Sequence, residues 1–257
     1  MYDYFLGGKD NFAVDRAAAE RLRAVSPELS ATAWANRRFH QRAARFIASA
    51  GVDQFIDIGC GLPTMENTHA VVQAVHPDGR VAYVDYDPVV ISHASALLAN
   101  HDSNVAVTLG DLRDPVGVLA GVRSAGLLDL SRPCGLLISA VLHFVADTAD
   151  PHDAVAALVA ALAPGSYLSL SHVTADGAVE EKIRNGVSVY RGASATMNPR
   201  SHAEVSRFFN GLSLMPPWPG APGEVTRVSL WGLEQPPTAD EVAAASPEPW
   251  WCGVGRT

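Results

Sequence analysis

The stretch IDIGCGLPT, residues 56–64, holds the residue types best suited to chemistry in this chain. An apolar run ends in Asp57, and a Gly-x-Gly turn, Gly59 and Gly61, leads towards a helical pattern. Glycines there allow positive φ and let the backbone approach a ligand with no Cβ in the way. In an open α/β sheet such a turn lies outside the carboxyl end of the first strand, where ligands bind. A tight β-to-α turn without a ligand would use the same residues, so the neighbouring groups decide. Asp85 closes the next strand-like run, 24 residues beyond Gly61, where a carboxylate can accept both ribose hydroxyls of a nucleoside. Asp111, in LGDLRD after a third run, is placed to take the exocyclic amine of an adenine, with the N–H of Leu112 meeting a ring nitrogen. Each Asp alone reads as a polar cap. Three at successive strand tips describe a nucleoside site.

Charge selects among nucleosides. A dinucleotide site wants G-x-G-x-x-G, so that a pyrophosphate can sit on a helix N-terminus. Here Thr64 stands three residues after Gly61, Pro63 intervenes, and Asp57 would repel a diphosphate. A cationic sulfonium reverses that logic, because carboxylates and aromatic faces suit a positive ligand. The pattern therefore points to S-adenosylmethionine rather than a nicotinamide dinucleotide.

Two histidines follow later strands. His143, in VLHFV, lies near where a transferring methyl would be, and could take a proton from an acceptor. His172 reads as a hydrogen-bonded strand-tip residue. An acceptor that is already nucleophilic needs no base, since alignment and exclusion of water can supply the rate. His143 is the catalytic candidate.

The N-terminal string YDYFLGGKDNFAVD, residues 2–15, is too rich in hydrogen-bonding groups for a plain linker. It reads either as a Gly turn capping the first helix or as a lid over the cofactor. In the second case Tyr4, Lys9 and Asn11 contact the ligand, and Lys9 or Arg37 meets the methionine carboxylate.

The elements that must position these residues alternate. Helical patterns cover 13–25, with Asp10 and Asn11 available as caps, and roughly 27–50, stopped by Gly51. Strands are expected at 54–58, 81–85, 105–109, 134–141 and 166–173, with helices at 65–75, 88–100, about 114–122 and 151–162 between them. Strict β/α alternation argues for a parallel sheet with helices on both faces. Beyond it, helical patterns fall at 177–190 and 202–210, the latter opened by a Ser201/Glu204 capping box. A Pro/Gly-rich connection (215–224) leads through 225–231 to a loop with one possible helical turn (234–249). WWCGVG, 250–255, reads as a closing strand, an antiparallel edge.

The 257 residues fit one large domain, or one domain with a cap, and 48% apolar against 18% charged residues suits a globule with a sizeable core. A net charge of −8 and the lack of a dense basic patch argue against a nucleic-acid partner. Arg37, Arg38, Arg42 and Arg45 fall at helical spacing and read as a solvated face. Cys60, Cys134 and Cys252 form no CxxC pair, so neither a disulfide framework nor a metal site follows. No secretory signal or membrane-length apolar run is visible, and a cytoplasmic location is the default.

The motifs DIGCGLPT, VAYVDYDPVV, LGDLRDP and SAVLHFV resemble the class I methyltransferases. With YDYFLGGKDNFAVD and ANRRF (35–39), the chain is similar to the actinobacterial S-adenosyl methyltransferase family once catalogued as a domain of unknown function. The resemblance covers about 2–212 and returns at WCGVGR, 251–256. It implies cofactor contacts from Asp57, Gly59, Gly61, Asp85, Tyr86 and Asp111. Two departures stand out: Pro63 where many class I enzymes have a third glycine, and a longer, more Pro-rich stretch at 215–249.

The expectation is thus an α/β, Rossmann-like, mostly parallel sheet of the seven-stranded type. Residues 1–50 form an N-terminal lid and helical cap, and residues 51–257 an S-adenosylmethionine-binding domain. The expected reaction is methyl transfer to an O, N or C nucleophile of a small molecule, with no nucleic-acid or membrane partner. A non-catalytic cofactor-binding protein and a nicotinamide-dependent oxidoreductase are the rival readings.

Overall fold

The computed structural model describes residues 1–63, 66–99, 101–174, 176 and 197–257. The helical pattern at 177–190, and Thr64, lie outside them. Five strands, β1 (Gln54–Ile58), β2 (Arg80–Asp85), β3 (Val105–Leu109), β4 (Gly135–Ser139) and β5 (Tyr167–Val173), pair in parallel in the order β3-β2-β1-β4-β5. Three more follow: β6 (Ser213–Leu214), β7 (Thr226–Arg227) and β8 (Trp250–Arg256). β8 runs antiparallel to β5, in register from Tyr167↔Arg256 to Val173↔Trp250. It is not the edge expected from the sequence. The two-residue strands β6 and β7 pair with its far side and cover it, the usual way a short segment blunts an exposed strand.

The central strands are continuous apolar runs because both faces are covered. β1 is buried throughout, and its residues alternate between two cores. Phe55 joins Phe39, Ile47, Leu137 and Trp231 on one face. Ile56 and Ile58 join Leu136, Ile138, Val118 and Phe208 on the other. Fully buried side chains of this size stabilise by roughly 1.5–3 kcal/mol each, so the register of β1 is firmly set.

Among the described residues the helices are α1 (Tyr2–Phe5), α2 (Ala13–Val25), α3 (Leu29–Ser49), α4 (Thr68–Gln73), α5 (Pro88–Ala94), α6 (Pro115–Ser124), α7 (Pro151–Ala160), α8 (His202–Ser206) and α9 (Ala239–Ala245). α5 and α6 start as their sequences dictate: Asp87 and Asp114 cap Val89 N and Gly117 N, each followed by Pro at the first helical position. α5 passes into a π-turn at Ser95–Ala99. The Ser201/Glu204 capping box opens α8 as expected, and a 3₁₀ turn, Arg207–Phe209, follows.

α3 has two roles. Its later turns, with Phe39, Ala43 and Ile47, belong to the sheet core. Its first turns hold Ala33 in a separate small core with Phe5, Leu6, Ala19 and Leu22, contributed by α1, the residue after it and α2. The arginine stripe is only half solvated: Arg38 and Arg45 are exposed, but Arg42 donates to Trp231 O at 2.8 Å and Val228 O at 2.6 Å. That pair of bonds fastens α3 to the segment after β7. Asp10 and Asn11 do not cap α2. The N-cap is Phe12, whose N–H donates to Asp15 at 3.3 Å, while Asn11 Nδ2 is drawn inward to Asp3 Oδ2 (2.7 Å) and Gly8 O (2.8 Å).

Candidate active site

A cavity of about 430 Å³ opens at the carboxyl edge of the sheet, under α1 and the first turns of α3. Asp57, Gly59, Gly61, Asp85 and Tyr86 line one part of it. The turn after β1 is shaped by its glycines. Gly59 has φ +72° and Gly61 +65°, in the left-handed region that favours glycine. A Cβ at Gly59 would stand 2.1 Å from Val141 Cγ2. Gly59 N–H donates to Val84 O at 2.7 Å, which holds the turn across β2.

Asp85, at the tip of β2, is buried. One carboxylate oxygen accepts Gly61 N–H at 2.9 Å and the other accepts Asp87 N–H at 3.0 Å. Burial pushes its pKa up, and these backbone donors oppose the rise. Each oxygen keeps a lone pair for a further donor, as two vicinal hydroxyls require.

Asp57 is buried and accepts the Thr68 hydroxyl at 2.6 Å. Thr68 spends its proton on Asp57, so it accepts from His40 Nε2 at 2.8 Å. His40 Nδ1 then accepts from Ser139 Oγ at 2.9 Å. This chain of bonds joins β4, α3, α4 and β1, and it fixes one tautomer of His40. Burial holds the His40 pKa down to about 4, against the opposing pull of Asp57. His40 was not singled out from sequence: one histidine within a 21-residue helix carries no motif, and only its helical phase, three, four and seven residues before buried Ala43, Ala44 and Ile47, pointed inward.

Asp111 and Leu112 lie outside the lining of this cavity. Arg113 clasps Asp111: its Nε donates to both carboxylate oxygens at 2.9 Å, and Nη2 adds a further bond. Those hydrogen bonds hold the Asp111 carboxyl below the usual range. Leu112 is packed into the core. Tyr86 is largely exposed at the rim.

The N-terminal residues divide. Tyr4 hydrogen-bonds Glu20, and Asn11 braces the turn beneath it. Lys9 lines a separate hollow of about 310 Å³, beside Asp3, Trp34 and Pro63. Arg37 borders both cavities and donates to Glu66 O at 2.9 Å. Met1, Tyr2 and Phe5, none of them singled out from sequence, line the main cavity instead. Tyr2 is held there by Asn36 Nδ2, which donates to its hydroxyl at 2.9 Å, and the hydroxyl donates on to Ala33 O at 3.1 Å.

His143 sits in a 3₁₀ turn, Leu142–Phe144, after β4, and lines the cavity. The turn follows Ala140, which has φ +58°, a strained value for a residue with a Cβ. Burial, with His172 and Arg200 nearby, holds the His143 pKa well below the ordinary value. Arg200 is the buried clamp of this region. Its guanidinium donates to Leu142 O and Val145 O, each at 2.9 Å, to Asp147, and to His172 Nε2 at 2.8 Å. His172 donates from Nδ1 to Val173 O at 2.7 Å, so both its nitrogens are engaged. Among the described residues no cluster of His, Cys, Asp or Glu could hold a metal ion, and no helix is long and apolar enough to cross a membrane.

Known structures share this fold. A Thermobifida fusca YX protein assigned provisionally to the methyltransferases is 36% identical, with TM-score 0.88 over 100% of this chain and 92% of that one. A DUF574 family protein from Streptomyces avermitilis is 34% identical, with TM-score 0.88 over 100% and 95%. Human N-acetylserotonin methyltransferase in complex with S-adenosylmethionine shares the fold at 14% identity, with TM-score 0.51 over 100% of this chain and 62% of that one. No curated protein matches the sequence. The family model for S-adenosyl methyltransferase matches residues 1–257. The glycine turn and the Asp85 carboxylate fit the nucleoside of that cofactor, and the chain belongs to the S-adenosyl methyltransferase family: it is an S-adenosylmethionine-dependent methyltransferase.

Proposed function

We propose that the enzyme methylates a small-molecule nucleophile, with residues 51–257 holding the cofactor and residues 1–50 acting as lid and helical cap. The carrying observation is the single cavity that runs from Asp85 and Gly61 past Val141 and His143 to Trp250. When bound, the cofactor supplies an electrophilic methyl on a positively charged sulfur. Asp85 binds the ribose hydroxyls. Gly59 and Gly61 let the backbone approach. Asp111, with the N–H of Leu112, receives the adenine once Arg113 shares its carboxylate. Asp57, held by Thr68, places negative charge near the sulfonium amino acid, and Arg37 offers a cation for its carboxylate. α1 closes the cavity from above and excludes water. His143 is the candidate base.

Calorimetry with S-adenosylhomocysteine on the full chain and on a variant lacking residues 1–12 tests both parts. Binding to the full chain is expected, with a stabilisation of about 2.7 kcal/mol at a hundredfold excess over Kd. The truncated protein is expected to keep its circular dichroism and bind more weakly. Absence of binding by the full chain refutes the site. Equal affinity in a folded truncation refutes the lid.

A further inference from the structure

The cavity changes character along the sheet edge. Over β1 and β2 its walls are carboxylates and glycine backbone. Over β4, β5 and β8 they are Phe144, Val173, Met197, Pro249 and Trp250, with Phe5 and Leu22 closing from α1 and α2. Three buried polar atoms of residues that line the cavity, Asn36 Oδ1 from α3 with His143 Nδ1 and Trp250 Nε1 from the second wall, have no hydrogen-bond partner among the described residues. An unpaired buried group costs about 1–3 kcal/mol, and such groups are few in native proteins. All three belong to residues that line one cavity, where a ligand can supply partners.

Their chemistry narrows the ligand. Asn36 spends its amide on Tyr2, so its oxygen is left to accept. The Trp250 N–H can only donate. The His143 and Trp250 rings lie 5.6 Å apart, nearly edge to face. His172 and His40 have both ring nitrogens engaged. His143 is thus the histidine of the described lining with a nitrogen left to take a proton. The carboxylate of this half is Glu28, at the N-cap of α3.

We infer that this half takes a small aromatic acceptor through a hydroxyl, its ring against Trp250 and Phe144 and its oxygen between the Trp250 N–H and the His143 imidazole, making the enzyme an O-methyltransferase. This rests on the S-adenosylmethionine reading of the other half. A lone pair of the acceptor oxygen forms the new O–C bond as the S–C bond breaks, and that electron pair stays on sulfur, which becomes neutral. The hydroxyl proton passes to His143 and then to solvent. His143 is neutral before the step, because its surroundings disfavour the cation. A weak base suffices, since the hydroxyl grows acidic only as the O–C bond forms.

The test has a binding arm and a turnover arm. Protein saturated with S-adenosylhomocysteine is titrated with 2-naphthol and 4-nitrophenol, and with 4-nitroaniline, cyclohexanol and benzoate as contrasts. The same compounds are then incubated with S-adenosylmethionine and the products weighed by mass spectrometry. The phenols are expected to bind saturably and to gain one methyl on oxygen. Trp250→Phe keeps the apolar face and should weaken phenol binding on the order of fivefold, with S-adenosylhomocysteine affinity unchanged. His143→Gln should lower kcat on the order of a hundredfold and abolish the acidic limb of the kcat–pH profile. Methylation of the amine or alcohol in place of the phenols overturns the inference. So does a protein that binds S-adenosylhomocysteine but no phenol, or binds phenols without methylating them. Failure to bind S-adenosylhomocysteine overturns the cofactor reading itself.

Discussion

The two halves of the sheet's carboxyl edge are built by different means. On the β1–β2 side, the site is made by short-range geometry: a glycine turn, a carboxylate one strand away, and backbone N–H groups between them. On the β4–β5–β8 side it is made by contacts between distant segments. Arg200 reaches 58 residues back to Leu142, and Trp250 comes to the cavity because β8 runs antiparallel beside β5. The first half is polar and held by backbone hydrogen bonds, which suits a cofactor of fixed shape. The second is largely apolar and assembled from the ends of elements far apart in the chain, β5, β8, α1 and α2.

The largest test of this division falls on the seam. Gly59→Ala introduces a Cβ at positive φ and within 2.1 Å of Val141 Cγ2. Backbone strain and overpacking together should cost about 4 kcal/mol, read as a large fall in Tm and in S-adenosylhomocysteine affinity. Adding Val141→Ala should recover the steric share only. If Gly59→Ala alone is harmless, the halves do not abut as described.

Arg200→Met should come next. It leaves Leu142 O, Val145 O and His172 Nε2 without their donor, for about 3 kcal/mol of stability. Where the variant still folds, cofactor affinity should hold while turnover falls, because the turn bearing His143 has lost its clamp. An equal loss of cofactor affinity would mean that the two halves are not separable.

Acid should act on both halves through buried histidines. His40 and His172 are held to pKa values of about 4 and about 3, below the ordinary 6.5. Both folded values are depressed, so the stability they contribute is full above pH 6.5 and is lost as pH falls towards 4 and 3. His40 alone should contribute about 2 kcal/mol of loss between pH 7 and pH 5. A urea series across that window checks it, and His40→Gln should flatten the slope.

The smallest expected effect is the most local. Asp85→Ala should weaken S-adenosylhomocysteine binding by about 2 kcal/mol, while Asp85→Asn loses less. Neither should alter the affinity of the second half for an acceptor. Calorimetry on both variants decides, and unchanged cofactor affinity in Asp85→Ala would remove the ribose contact.

Local chemistry was legible in the chain. The runs ending at Asp57 and Asp85, the Gly59 and Gly61 turn, Pro88 and Pro115 opening helices behind aspartate caps, and the Ser201/Glu204 box are all set by neighbours a few residues apart. Their outcome hardly depends on what packs above them. The β/α alternation made the strands parallel, because each crossover brings the chain back in the same direction, while the order, with β4 beside β1 and not beside β3, was decided by packing. Tertiary packing decided the rest. Tyr4, Lys9 and Asn11 have the right chemistry for a lid, yet the small core of Phe5, Leu6 and Leu22 turns Tyr2 and Phe5 to the cavity and Tyr4 to Glu20. Asp111 reads as an adenine ligand by position, and its pairing with Arg113 follows from a two-residue turn whose geometry the spacing does not specify. His40, Arg200 and Trp250 carry no local signature. Their partners lie 28 to 99 residues away for His40 and 28 to 58 for Arg200, and the partner of Trp250 in the sheet is Val173. A buried hydrogen bond between such residues forms only after the hydrophobic faces have docked, because until then water satisfies each group equally well.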